Sequence, residues 1–246
     1  MNAIGKTDKG MRRENNEDAF FLSLTPVGIF ESLFIVADGM GGHSYGEVAS
    51  EIAVRTALET IRNAPLDRPE FILDEAVNEA NLAVNKASDE RQYAKMGTTI
   101  VIAGIINGHA YVANVGDSRL YRLNFRENSI TQVTKDHSFV EEMVRQGRMV
   151  RGSEEYLRKK NIITRVLGFY SETYADLFDF PLASGDMLLL CTDGLSNMVE
   201  DRMLKGLSFD ENFTLEKRVD TMIHTANMHG GKDNITVILV DCEDAL

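Results

Sequence analysis

Eight short apolar runs punctuate the chain: "DAFFLSL", "SLFIVA", "TTIVIAGII", "HAYVANV", "RLYRL", "SITQVT", "DMLLLCT" and "NITVILV", most of them bounded by Gly, Asp or Asn. Runs of this length and punctuation read as β-strands. Adjacent ones are spaced for hairpins, and "GIINGHAYV" sets Asn107 and Gly108 between two of them, the pair that a tight hairpin turn favours. Antiparallel sheets are therefore expected in place of a regular parallel α/β order.

Three segments carry a helical period instead. Val48, Ile52, Ala57 and Ile61 share a face between residues 46 and 62, and Ile72, Ala76, Ala80, Ala83, Val84 and Ala87 do so between 70 and 88. Leu215, Val219, Met222, Ile223 and Ala226 form the third stripe. One-sided helices covering one-sided sheets predict a layered α+β domain. No internal repeat or low-complexity linker interrupts the 246 residues, so one domain is expected over 1–246. The exception to regularity is "RQGRMVRGSEEYLRKKNIITRVLG" at 145–168, polar and basic within an acidic chain, which reads as a surface excursion.

Composition narrows the function classes. With 38 acidic against 26 basic residues the net charge is −12, which repels nucleic acid phosphates and anionic lipid. No apolar run approaches a membrane span and the start lacks a signal-peptide pattern, making a cytoplasmic location the expectation. Cys191 and Cys242 cannot build a disulfide framework; each lies in or beside an apolar run and is expected to be a small buried hydrophobe. An acidic chain can instead be storing carboxylates for cations.

The carboxylates sit where strands meet the edge of the core. In "LFIVADGMGGH" an apolar run gives way to Asp38 and then to Gly39, Gly41 and Gly42; "MLLLCTDG" repeats the arrangement with Asp193 and Gly194. "YVANVGDSRLY" places Asp117 after Gly116, while Asp18 in "ENNEDAFFL" and Asp233 in "GGKDNITVILV" precede strands. Taken singly, each Asp also reads as a turn cap. Together, five carboxylates could meet at one rim. Two like charges about 4 Å apart repel by roughly 4 kcal/mol at an effective dielectric near 20, so several such pairs would rival a domain's whole stability of roughly 5–15 kcal/mol. Either some are protonated or divalent cations sit among them. Hard oxygen donors without His or Cys favour magnesium, manganese or calcium over zinc. Such ions about 3.5–4 Å apart can share a water, lower its pKa and aim it at phosphorus. Gly39 and Gly194 would let the backbone approach the ions, a Gly carbonyl serving as a ligand.

Two other phosphate chemistries fail on spacing. A cysteine phosphatase needs an Arg six residues after its nucleophile, where Cys191 has Asn197 and Cys242 has no residue; a Walker loop would need Lys and Ser or Thr where Glu47 and Val48 follow Gly46.

The ordered motifs "TDKGMRRENNEDA", "ADGMGGHSYGEVAS", "MGTT", "VGDSRLY", "TKDHS", "NIITRVLG", "CTDGL" and "GGKDNITVILV" span essentially the whole chain. In this order they resemble the metal-dependent serine/threonine protein phosphatases of the protein phosphatase 2C type, in their compact bacterial form. The resemblance implies a four-layer α-β-β-α sandwich with two central antiparallel sheets and two manganese or magnesium ions at one end. It implies that Asp38 bridges both metals, Gly39 offers its carbonyl to one, Asp193 and Asp233 bind one metal, and Asp18 holds coordinated water. A third, weaker metal near Asp117 and Asp193 follows from the same likeness, as does phosphate binding by Arg13, with neighbouring Arg12 as plain surface charge. Animal members place a His, proposed to protonate the leaving alkoxide, where this chain has Met40; His43 or metal-bound water stands as the alternative general acid. His137 is expected to make local hydrogen bonds only.

Residues 145–168 correspond to the family's flap beside the active site. Its Arg145, Arg148, Arg151, Arg158, Lys159 and Lys160 are either solvated surface or a dock for an anionic phosphoprotein. The implied activity is hydrolysis of phosphoserine and phosphothreonine in proteins, opposing a bacterial serine/threonine kinase whose targets would be the partners, by a monomer. The alternatives are a partner-switching phosphatase of one phosphorylated regulator and a non-catalytic scaffold of the same fold.

Overall fold

The computed structural model describes residues 1–41, 45–65, 68–90 and 95–242. In chain order the strands are β1 (Asn2–Asp8), β2 (Asp18–Ser23), β3 (Ser32–Met40), β4 (Gly97–Thr98), β5 (Ile100–Ile106), β6 (His109–Val115), β7 (Arg119–Asn124), β8 (Ser129–Gln132), β9 (Asp176–Pro181), β10 (Asp186–Cys191) and β11 (Ile235–Asp241). The helices are α1 (Tyr45–Asn63), α2 (Pro69–Glu90), α3 (Phe139–Arg145), α4 (Glu154–Lys159), α5 (Asp193–Ser196), α6 (Asp201–Ser208) and α7 (Leu215–Met228). One sheet runs β1-β11-β10-β7-β8 and the other β2-β3-β5-β6-β9, with β4 attached to β3. The paired strands are antiparallel throughout.

Strand alternation distributes the apolar residues over three cores. On β3, Leu33, Ile35 and Ala37 face a cluster shared with α1 and α2, while Phe34 and Val36 face the second sheet. Leu188 and Leu190 on β10 and Ile238 and Val240 on β11 close that inter-sheet core from the other side. Their neighbours Leu189, Cys191, Val237 and Leu239 pack against Val219 and Met222 of α7. Four layers result, α-β-β-α. Because both faces of the central strands are covered, those strands read as continuous apolar runs. Both cysteines are buried and free, and burial pushes each thiol up to about 12.

The eight expected strands and three expected helices are present, and the Asn107-Gly108 turn adopts φ of 51° and 68°, the double positive geometry of a type I′ hairpin. Two details differ. The buried stripe of α1 runs through Gly46, Ala49, Ser50, Ala53, Val54, Ala57 and Ile61, so Val48 and Ile52 flank it. Strand β3 also does not stop at Asp38 but continues to Met40, because Gly39 and Met40 pair with Thr98 and Gly97 of β4. The surface excursion begins earlier than its basic sequence, with α3, and includes α4, whose residues are all at least partly exposed. Among the described residues no helix is long and apolar enough to cross a membrane.

Candidate metal centre

The two sheets deliver their carboxylates to a common rim. Asp18 on β2 stands directly opposite Asp38 on β3 in the antiparallel register. Asp193 opens α5 immediately beyond β10, Asp117 lies in the β6–β7 connection, and Asp233 precedes β11. Asp38 is within hydrogen-bonding reach of Asp193. Burial first, then the fields of Asp18, Asp193, Asp117 and Asp233, hold the Asp38 carboxyl well above the ordinary carboxylate range. Burial and then Asp193 do the same to Asp117. Asp18 is pushed up to about 7 and Asp193 to about 6, again by burial first, with neighbouring carboxylates adding to the rise. Each shift records the same fact: negative charge is crowded where water is scarce.

Three carboxylate oxygens at this rim are left open. Asp18 Oδ1, Asp117 Oδ1 and Asp193 Oδ1 are buried and accept no hydrogen bond from the protein. Buried acceptors are normally satisfied, so an open set of hard oxygens is a donor set for a cation. Among the described residues no three His, Cys, Asp or Glu side chains form a ready-made cage around one point. Magnesium-like ions fit that arrangement, since they keep several waters and take one or two carboxylates. Asp233 is already engaged on both oxygens: its Oδ2 accepts from Arg13 Nη2 at 2.7 Å and its Oδ1 from the Asn234 N–H at 2.9 Å.

A shell of small polar residues fixes these groups. Thr192 and Thr236 both donate to Asp18 Oδ2, at 2.9 and 2.6 Å. Thr98 Oγ1 and the Thr99 N–H donate to the Asp38 carbonyl, each at 2.9 Å, while the Asp38 N–H donates to Thr99 Oγ1 at 3.0 Å. Thr99 Oγ1 then meets Ser118 Oγ at 2.7 Å, tying "MGTT" to "VGDSRLY". Buried Asn234 accepts from the Glu17 N–H at 2.8 Å and donates to the carbonyls of Lys9 and Asn15, stapling the N-terminal motif to β11. The glycines also have a structural purpose. A Cβ on Gly39 would lie 2.1 Å from the Gly46 carbonyl oxygen and one on Gly194 would lie 1.9 Å from that of Asn234. Gly39 is required for close backbone approach between β3 and α1, and neither residue needs a positive φ.

The remaining sequence-predicted residues divide. Arg12 and Arg13 are both exposed, and Arg13 reaches the rim through its bond to Asp233. His43 lies outside the described residues. Met40 ends β3 and lines a cavity of about 190 Å³ with Ile163, Val166 and Phe169. Lys160 of the excursion donates to Asn197 Oδ1 at 2.8 Å, and Asn197 Nδ2 donates to Asp193 Oδ2 at 2.9 Å, a link absent from the sequence reading. His137 is buried: its Nδ1 accepts from the Gly116 N–H at 3.0 Å, and its Nε2 lies 3.1 Å from Arg165 Nη1 and 3.4 Å from Asp176 Oδ2, so its contacts are not local but tie the β6–β7 turn to the segment entering β9.

Comparison with known proteins places the chain in a family. Residues 11–239 match the family described as Protein phosphatase 2C. The chain is 39% identical to the serine/threonine phosphatase stp of Listeria welshimeri, covering 98% of this chain and 96% of the relative. The crystal structure of the serine/threonine phosphatase Stp1 from Staphylococcus aureus superposes with a TM-score of 0.87 at 35% identity, over 97% of this chain and 93% of that one. The catalytic domain of the phosphatase PstP, solved with two manganese ions, gives a TM-score of 0.83 at 30% identity, over 98% and 97%. The chain therefore belongs to the protein phosphatase 2C family.

Proposed function

We propose that the protein is a metal-dependent serine/threonine phosphatase that hydrolyses phosphoserine and phosphothreonine in other proteins, with residues 1–246 acting as one catalytic domain. The observation that carries this reading is the rim itself: crowded carboxylates with three buried oxygens open, beside an arginine. Asp38, the Gly39 carbonyl, Asp193 and Asp233 would hold two divalent ions, manganese or magnesium, with Asp18 holding coordinated water and Asp117 with Asp193 serving a third, weaker site. When bound, such ions activate water as a nucleophile and neutralise charge on the phosphoryl group.

The chain's own residues do the positioning. The threonines hold the Asp18 carboxylate and the Asp38 backbone before any ligand arrives, so little backbone ordering remains for binding. Arg13 uses one N–H on Asp233, leaving the rest of its five donors to grip phosphoryl oxygens. Met40 carries no transferable proton, so the proton for the leaving alkoxide would come from His43 or from metal-bound water. A cytoplasmic monomer acting on phosphoproteins, opposite a cognate serine/threonine kinase and its targets, completes the reading.

The test is phosphate release from p-nitrophenyl phosphate and from a phosphothreonine peptide. Activity should require manganese or magnesium and stop with chelator, and Asp38→Ala or Asp193→Ala should lower kcat at least about 10³-fold, or about 4 kcal/mol of barrier, with the fold retained. Full activity in chelator, or near-normal rates in either variant, would overturn the assignment.

A further inference from the structure

A cleft of about 460 Å³ opens between the β7–β8 edge and the helices of the excursion. Its floor is an ion pair. Arg119 Nε and Nη2 donate to the two Asp136 oxygens at 2.7–3.2 Å, Arg119 Nη1 donates to Tyr121 Oη at 2.8 Å, and Gln132 Nε2 donates to Asp136 Oδ1 at 2.7 Å. One wall is Glu141, which accepts from both Arg151 and Tyr156. Asp201 accepts from the Tyr121 hydroxyl at 3.1 Å. Lys135 and Arg145 complete the lining; both are exposed, and among the described residues neither forms an ion pair.

The charges on this lining do not cancel. Arg119, Lys135, Arg145 and Arg151 face Asp136, Glu141 and Asp201, and two of those carboxylates are already engaged by Arg119 and Arg151. Against a net charge of −12 for the chain, the cleft is a local reversal of sign. It also adjoins the rim. Arg119, Asp136 and Tyr156 line both the cleft and a cavity of about 30 Å³ that reaches Asp117 and Asp193. An extended polypeptide advances about 3.3–3.6 Å per residue, so residues flanking one held at the rim must cross this adjoining surface.

We infer that the cleft is a subsite for an anionic side chain, carboxylate or second phosphate, flanking the phosphorylated residue of the substrate polypeptide, with Lys135 and Arg145 as its cationic partners. The inference rests on the phosphatase reading. Arg119 and Arg151 are committed to their carboxylates and shape the cleft; the charge left to meet a ligand belongs to Lys135 and Arg145. Exposed pairs contribute modestly and are screened by salt, so the selectivity should be roughly three- to ten-fold and should fade as ionic strength rises.

The experiment compares phosphothreonine peptides identical but for Asp, Asn, Lys or a second phosphothreonine at each flanking position within about four residues. Phosphate release gives kcat and KM for each with manganese present. The Asp peptide should exceed the Asn peptide in kcat/KM about five-fold at positions on one side, mainly through KM, and the advantage should shrink toward one at high salt. In K135E/R145E the order should invert, the Lys peptide becoming the best, whatever the overall rate of the variant. A second phosphothreonine outperforming Asp would support the subsite and name phosphate as its preferred anion. Equal kcat/KM at every position, or an Asp preference of unchanged sign in K135E/R145E, would overturn the subsite while p-nitrophenyl phosphate hydrolysis left the phosphatase reading standing. An enzyme that hydrolysed none of these substrates would overturn both.

Discussion

A methyl group added to Gly194 at the carboxylate rim would lie 1.9 Å from a backbone oxygen, whereas one added to Gly152 in the excursion would meet nothing within 4 Å. That contrast runs through both regions. The rim is assembled from the ends of buried strands and fixed by threonine hydroxyls and a buried asparagine. The excursion is two short helices, each with one serine cap, Ser138 and Ser153, and it leaves Val150 and Leu157 75% and 58% exposed. Crowded carboxylates oppose folding, so they persist only where the surrounding structure over-determines them. A segment with few buried contacts opens and adapts at little cost. Under the proposed function, chemistry accordingly sits on the sandwich and substrate contact on the excursion.

The sharpest way to break this comparison is a pair of alanines. Gly194→Ala should destabilise by about 3 kcal/mol or more, since the overpacked neighbour is backbone. Gly152→Ala should lose only about 1–2 kcal/mol, the strain of a side chain at a φ of +79°. Urea denaturation of both variants measures the difference, and equal losses would mean that the rim is no more rigid than the excursion.

Arg13→Ala comes next. Losing charge-assisted hydrogen bonds to phosphoryl oxygens should reduce kcat/KM about 10- to 100-fold, or about 1.4–2.7 kcal/mol. The rise in Tm on adding manganese should survive. If that rise disappears, the 2.7 Å contact with Asp233 is the arginine's main purpose, and its role moves from binding substrate to positioning the Asp233 carboxylate.

The two regions should also titrate with opposite sign. Asp18 at about 7 and Asp193 at about 6 lie above the ordinary 3.8, so between those values the folded, metal-free protein binds more protons than the unfolded chain. Stability in chelator should accordingly be greatest on the acid side of this window and fall as pH rises through 6 to 7, shifting Tm by a few degrees. Asp18→Asn should flatten the slope, and manganese should stabilise more at the upper end, where protons compete less for the ligands. In the excursion, burial pushes the Glu141 carboxyl up, but hydrogen bonds from Tyr156 and Arg151 outweigh it and hold the group below the ordinary 4.5. Its contribution is present above that value and lost only as pH falls through the lowered one. A Tm that rises with pH across the rim's window would contradict the signs assigned to Asp18 and Asp193.

The same contrast explains what the sequence could reveal. Central strands such as β3 and β11 are buried on both faces, so they stand out as apolar runs, and their Asp residues stand out by breaking them. Strands β1 and β9 lie at sheet edges with one covered face; "NAIGKTD" and "DLFDFP" are half polar and passed unrecognised. Helices α3 to α6 span four to eight residues, too short for a period to declare itself. At the rim the acidic residues were legible one by one, but the groups that hold them were not. Thr192 and Thr236 lie 174 and 218 residues from Asp18 and become its donors only once β2, β10 and β11 are brought together. Gly39 was legible as a special position, but not for its packing: a Cβ there would meet the Gly46 carbonyl, a neighbour that no local pattern announces.

The smallest expected effect lies in Glu141→Gln. Glu141 joins α3 to the following loop and to α4 by accepting from Arg151 and Tyr156, so its charge is one internal tie of the excursion. Arg151 is 69% exposed, which limits the pair to about 1 kcal/mol or less. None of the three side chains belongs to a hydrophobic core cluster. The variant should therefore unfold globally within about 2–4 °C of the parent, while hydrogen exchange of amides in 153–160 accelerates. Should global unfolding instead shift as far as in Gly194→Ala, the excursion would be part of the sandwich's cooperative unit, and the division between a rigid rim and an adaptable neighbour would fail.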